Sequence, residues 1–194
     1  LERVLWQPAH QDTHILYAVS VSRQETNDAA TPTIQLIMQT TNGQMSILTS
    51  CTCTQFAWSP DGNAVLYSTG TSYTVLNINN KIAFSISSEV NSVPYWSPDS
   101  KFLLLDGIHT LTMAQIAEQK SSVLLSDSNI ESGKTFPIVP TPNTLLQPVA
   151  NSIWATDSRH FLFLTHDRLR WQGKALSSGK GLYTVSIDDH GQIQ

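Results

Sequence analysis

The 194 residues carry a net charge of −4 with six His neutral. That length suffices for one sizeable core, so a single domain over 1–194 is expected. No basic surplus exists to neutralise phosphates, which argues against nucleic acid and anionic membrane surfaces as partners. No run of about 18 apolar residues occurs, so no membrane insertion is expected. Charged residues are only 13%, against roughly 25% in ordinary soluble domains. Ser, Thr, Asn and Gln take their place, a composition frequent in β-rich envelope and secreted proteins. A periplasmic, envelope-associated or extracellular location is therefore expected. The chain opens at Leu1 without Met, in what reads as a strand, and is expected to be a piece of a longer product.

In chain order, the first unit, about 1–50, opens on Leu5-Trp6-Gln7-Pro8 and His14-Ile15-Leu16-Tyr17. Alternating strands are predicted at 34–38 and 45–48. Two Cys follow, Cys51 and Cys53, and these are the only ones. In an extended strand they would share a face with Cα atoms roughly 6.5–7 Å apart, near the upper limit for a disulfide. A bridge, a metal contact and two plain thiols all fit the spacing. Two small apolar thiols in a loop are the expected state.

The second unit, about 51–90, carries Phe56-Ala57-Trp58-Ser59-Pro60-Asp61-Gly62 and then the apolar run Ala64-Val65-Leu66-Tyr67. Strands at 73–78 and 82–86 follow. The third, about 91–126, repeats the pattern as Pro94-Tyr95-Trp96-Ser97-Pro98-Asp99-Ser100 and Phe102-Leu103-Leu104-Leu105, with strands at 111–116 and 123–125. A Pro-bearing insertion occupies 127–149. The fourth unit, about 150–194, has Ile153-Trp154-Ala155-Thr156-Asp157-Ser158, then Phe161-Leu162-Phe163-Leu164, a strand at 183–187, and only Gln192-Ile193-Gln194 for a last strand. Trp6, Trp58, Trp96 and Trp154 thus hold one register position.

Each copy reads as a short strand ending in Trp, a tight turn, and three further strands. Pro presets φ for the turn, and Asp-Gly or Asp-Ser favours it. Such a unit is a four-stranded antiparallel sheet. Repetition at this period indicates an all-β fold, a β-propeller of about four four-stranded blades. The blades are expected to form an open arc or part of a larger ring. The Trp-Ser-Pro-Asp-Gly turn followed by an apolar strand resembles the TolB-type, WD40-like β-propeller repeat over nearly the whole chain. That resemblance implies a structural motif, with Trp packed between blades and Asp61 and Asp99 forming turns. Self-association through open blade edges is a further expectation.

Catalytic patterns are not found. No Gly-x-Ser-x-Gly elbow is present, although propellers of this kind precede α/β-hydrolase domains in some peptidases. Ser132-Gly133-Lys134-Thr135 lacks the first Gly of a phosphate loop and any helical pattern after it. His160 and His166 near Asp167, and His10 and His14 near Asp12, match no common metal spacing, and Asp188-Asp189-His190-Gly191 reads as a hairpin turn. No enzyme activity, cofactor or metal is expected.

Connection lengths point to a working face. The turns at 59–62, 97–100, 155–158, 41–43, 79–80 and 188–191 are tight, and all join strands one to two or three to four. The long segments 22–32, 126–150 and 166–181 all join strands two to three or one blade to the next. Strand parity therefore places the long segments on one face. Within 166–181, Arg168, Arg170, Lys174 and Lys180 surround Trp171, the one Trp outside the repeat register. Arg168, Arg170, Trp171 and Lys174 are the candidate partner-binding residues, suited to an acidic protein or peptide. The function expected is a non-enzymatic binding or scaffold module. The alternatives are a ligand-sensing domain of an envelope or receptor protein, or an accessory propeller of an enzyme.

Overall fold

The computed structural model of the chain describes residues 3–8, 14–21, 33–53, 55–69, 71–89, 92–129, 153–165, 170–171, 174–175 and 181–194. The chain divides into two compact units, Leu1–Ser85 and Ile86–Gln194. In the first, β1 (Arg3–Trp6), β2 (His14–Val21), β3 (Thr33–Thr40) and β4 (Met45–Cys51) form a sheet in sequential order. A second sheet runs β5 (Phe56–Trp58), β6 (Ala64–Ser68), β7 (Ser72–Asn77) and β8 (Ala83–Ser87). In the second unit, β9 (Val93–Trp96), β10 (Phe102–Asp106), β11 (Thr110–Gln115) and β12 (Lys120–Ser126) repeat that order.

The fourth sheet keeps the order with reduced edges. Its centre is β13 (His160–Thr165) paired antiparallel with β16 (Gly181–Ser186). Single bridges, Trp154 to Phe161 and Ile187 to Ile193, stand where the first and last strands belong. Between β13 and β16 lies a small ribbon, β14 (Arg170–Trp171) with β15 (Lys174–Ala175). The fold is all-β, made of about four blade sheets.

The repeat turns show why their residues recur. In the second sheet the Ser59 hydroxyl donates to Asp61 Oδ1 at 2.6 Å, and Oγ accepts from Ala64 N at 2.9 Å. Asp61 Oδ1 also accepts from Asn63 N at 3.1 Å. Ser97 and Asp99 repeat these bonds, with Ser97 Oγ to Asp99 Oδ1 at 2.7 Å and Phe102 N to Ser97 Oγ at 2.9 Å. The third copy has Ala155 in place of Ser, so Asp157 takes over and accepts from both Arg159 N and His160 N. The fourth turn position is left-handed in all three, with φ of 71° at Gly62, 62° at Ser100 and 58° at Ser158. At Gly62 a Cβ would lie 2.8 Å from the Pro8 carbonyl oxygen, so this turn admits only Gly.

Strand alternation sets the register Trp on one face of each sheet. In the first unit the Trp58 face of the second sheet, with Phe56 and Val65, buries against Leu16, Ala18 and Leu36 of the first. In the second unit Trp154, Phe161, Phe163 and Val185 bury against Tyr95, Leu104, Leu111 and Met113. The indole N–H bonds repeat as well. Trp58 Nε1 donates to Leu5 O at 3.5 Å and Trp154 Nε1 to Tyr95 O at 3.2 Å. Leu5 and Tyr95 each directly precede the register Trp of their own sheet.

Two sequence expectations need correction. Cys51 and Cys53 are joined in a disulfide, not held as thiols. The strand ends at Cys51, so the next two residues are not extended, and the Cα–Cα distance falls to 5.1 Å. That is well inside the range a disulfide spans. Trp6 shares the register but not the burial: it is 62% exposed, while Trp58, Trp96 and Trp154 are 8%, 2% and 6% exposed.

Candidate functional site

The chemistry-bearing residues of the repeat are consumed by the turns they build. Ser59, Asp61, Ser97 and Asp99 bond to backbone N–H groups and to each other. His160 opens β13, and its Nδ1 lies 2.6 Å from Asp157 Oδ2. Arg159 pairs with Asp189. Asp188 accepts from the backbone N–H of His190 and of Gln192, both at 2.8 Å, which makes 188–191 the hairpin turn expected. These bonds hold the Asp157 and Asp188 carboxyls below their ordinary range, chiefly through the backbone N–H donors. An open depression of about 390 Å³ lies here, lined by Arg159, His160, Ser186, Asp188, Asp189 and neighbours. Among the described residues no group of three or more His, Cys, Asp or Glu is placed to hold a metal ion. No helix among them is long and apolar enough to cross a membrane.

Three of the four expected partner-binding residues, Arg170, Trp171 and Lys174, fall on the ribbon between β13 and β16. Arg170 and Trp171 form β14, and Lys174 begins β15. Arg170 registers with Ala175 and Trp171 with Lys174. The Arg170 and Lys174 side chains are exposed. Arg168 and Lys180 lie outside the described residues, as do 22–32 and His10, His166 and Asp167. A second long connection reaches the ribbon. After β12 comes a single 3₁₀ turn, Asp127–Asn129, and Asn129 Nδ2 donates to the Arg170 carbonyl at 3.4 Å. The same Asn129 accepts from Ser126 N through Oδ1 at 2.8 Å, which fixes its side chain. The start of 126–150 and the middle of 166–181 therefore meet.

An acidic pair in the same unit was not visible as a site in the sequence. Glu89 accepts from His109 N at 2.8 Å and from Thr110 Oγ1 at 2.6 Å, spanning the β10–β11 turn. A Cβ at Gly107 would lie 2.8 Å from the Glu89 carboxyl carbon. Burial pushes Glu89 up, but these hydrogen bonds outweigh it and its pKa is lowered. Asp106, at the end of β10, is pushed up to about 8 by burial and by the Glu89 charge. The two carboxyls lie 17 positions apart, in a loop and at a strand end, so no sequence spacing announces them.

No family model matches the sequence, and no curated protein does. Solved structures similar to the chain include TolB from Acinetobacter baumannii, with 17% identity and a TM-score of 0.45 over 96% of this chain and 42% of that one. The β-propeller domain of the Trilobed protease from Pyrococcus furiosus has 12% identity and a TM-score of 0.46, covering 94% and 67%. An auxiliary nutrient binding protein from Bacteroides thetaiotaomicron has 10% identity and a TM-score of 0.43, covering 98% and 48%. The chain thus spans less than half the length of TolB and of the nutrient binding protein. By its Trp register, its sequential four-strand order and its Ser–Asp turn bonding, the chain has a TolB-like β-propeller fold.

Proposed function

We propose that the chain is a non-enzymatic binding module that takes an acidic or carboxylate-bearing protein or peptide at the β14–β15 ribbon. The observation that carries this reading is the exposure of Arg170 and Lys174 on one short ribbon, in a connection between blade strands. Arg168, Arg170 and Lys174 supply charge-assisted hydrogen bonds to carboxylates, and Trp171 is the aromatic anchor. A rigid sheet carrying a long connection is the usual place for such recognition. The disulfide supports action in an oxidising compartment, in keeping with a periplasmic, envelope-associated or extracellular protein.

The test is titration with a Glu-rich peptide, read by fluorescence anisotropy, beside a Lys-rich control. The Glu-rich peptide is expected to bind, more weakly as salt rises. An Arg170→Ala, Lys174→Ala double variant should lose at least about tenfold in affinity, since charged hydrogen bonds are worth roughly 1.5–3 kcal/mol. Its Tm should not move. Equal affinity in the variant would remove the ribbon from the binding surface.

A further inference from the structure

Asn42 and Gly43 stand together in the turn between β3 and β4, and no other Asn of the sequence precedes Gly. The pair sets a carboxamide beside the backbone nitrogen with the least steric cover, because Gly has no Cβ. Among the described residues nothing lies within 4 Å of where a Gly43 Cβ would be. Residues 41–44 are exposed. The corresponding turns of the second and third sheets, 79–81 and 117–119, are exposed too. Exposure therefore belongs to this position in a sheet and not to an end of the chain.

The turn also arranges hydrogen-bond donors on the Asn42 side chain. Gly43 N–H donates to the Thr40 carbonyl and Thr40 N–H to the Gln44 carbonyl, both at 2.9 Å, which closes the turn. Gly43 takes a left-handed φ of 86°. Within this frame the Thr40 hydroxyl donates to Asn42 Oδ1. Gln44 N–H donates to the same oxygen at 3.3 Å. That oxygen gains negative charge when a nucleophile attacks Asn42 Cγ, and donors already in place there lower the barrier of acyl transfer.

Two other turn residues provide an internal comparison. Asn77 Oδ1 accepts from the N–H groups of Asn79 and Asn80, and Asn80 Oδ1 accepts from Ile82 N–H. Ile78 and Lys81 follow them, and those side chains crowd the nitrogen that would attack. Only at Asn42 do the donors and an uncrowded nitrogen coincide among these turns.

We infer that Asn42 is a self-modification site, at which the Gly43 nitrogen closes on the carboxamide with the Thr40 hydroxyl as oxyanion donor. The Gly43 bond to the Thr40 carbonyl opens first. The Gly43 N–Cγ bond then forms and the Cγ–Nδ2 bond breaks. Nδ2 leaves as ammonia, carrying the proton that Gly43 N gave up. Water opens the resulting cyclic imide at Cγ to give aspartate, or at the backbone carbonyl carbon to give isoaspartate. No oxidant or reductant takes part. Each product adds one negative charge to the β3–β4 turn. Isoaspartate also routes the chain through Cγ, lengthening the turn by one methylene. The inference is independent of the ribbon and survives its failure.

The test is incubation of the folded 194-residue chain in mildly alkaline buffer, followed by peptide mapping with mass spectrometry and chromatographic separation of the aspartyl and isoaspartyl peptides. Position 42 is expected to lose its amide ahead of Asn63, Asn77, Asn79 and Asn80. Thr40→Val should slow that loss about tenfold, less than the roughly 100- to 1,000-fold cost of removing a donor from a water-excluded oxyanion hole, because Asn42 is exposed. Thr40→Ser keeps the hydroxyl and should restore the parent rate. In concentrated urea the parent and Thr40→Val chains should react at one rate, since the donor is placed by the fold. Circular dichroism checks that the variants are folded, and Thr40→Ala replaces Thr40→Val if that variant fails to fold. An amide retained at position 42 while another Asn is converted would overturn the inference. So would equal rates in the folded parent, Thr40→Val and Thr40→Ser chains.

Discussion

Replacing Trp154 or Trp58 with Ala is expected to cost about 3–5 kcal/mol, the range for a buried aromatic whose cavity cannot collapse. Trp154 is sandwiched with Phe102 and Phe161, at ring-centroid distances of 6.4 and 5.2 Å, so its loss opens the middle of the second unit's core. It also leaves the Tyr95 carbonyl without the indole donor. Asp61→Ala and Asp99→Ala should cost only about 1 kcal/mol, because the turn hydrogen bonds they forfeit are near the surface and water replaces them. Urea denaturation of the four variants gives the ranking. If either Asp variant were less stable than both Trp variants, the Trp register would not be the core of the repeat.

Stability of the second unit is expected to fall as pH rises from about 5 to 8. The cause is Asp106, whose pKa is raised to about 8 by burial and by Glu89. A carboxyl whose folded pKa lies above its unfolded value favours the folded state while protonated. That contribution is complete below the unfolded pKa of about 4 and is lost as pH climbs through the folded one. The slope approaches about 1.4 kcal/mol per pH unit within this window. Glu89 acts in the opposite sense, since its pKa is lowered; its contribution is lost only as pH falls below the ordinary carboxylate range. Asp106→Asn should therefore flatten the profile between pH 5 and 8 and leave the acid limb in place. Urea midpoints of parent and variant across that range check this; parallel profiles would show that Asp106 is ionised throughout.

The residues that made the fold legible were those whose local chemistry is sufficient. Ser59-Pro60-Asp61-Gly62 closes its own turn with bonds spanning five residues or fewer, so sequence alone identifies it. The apolar runs after it alternate as strands must, and the strands at 34–38, 73–78, 111–116 and 183–187 all lie within or beside observed ones. The Cys pair was misread because the assumption of extended backbone failed one residue past the strand end. The exposure of Trp6 was hidden for a different reason: register places a side chain on a face, but not what covers it. Glu89 and Asp106 could not be paired from sequence, because a turn and a strand end meet only in three dimensions. On the ribbon, charge and the lone extra Trp pointed to Arg170 and Lys174, while the reach of Asn129 to Arg170 depends on the fold.

Indole N–H exchange most directly tests the packing of Trp faces on preceding sheets. In a nitrogen–proton correlation spectrum recorded on dilute protein, with each Trp assigned by replacement with Phe, Trp58 and Trp154 are expected to exchange slowly. Their N–H groups are buried and bonded to Leu5 and Tyr95 carbonyls. Trp6 is expected to exchange at the rate of an exposed indole. Rapid exchange at Trp154, or protection of Trp6 equal to that of Trp154 in a monomer, would contradict the arrangement of faces.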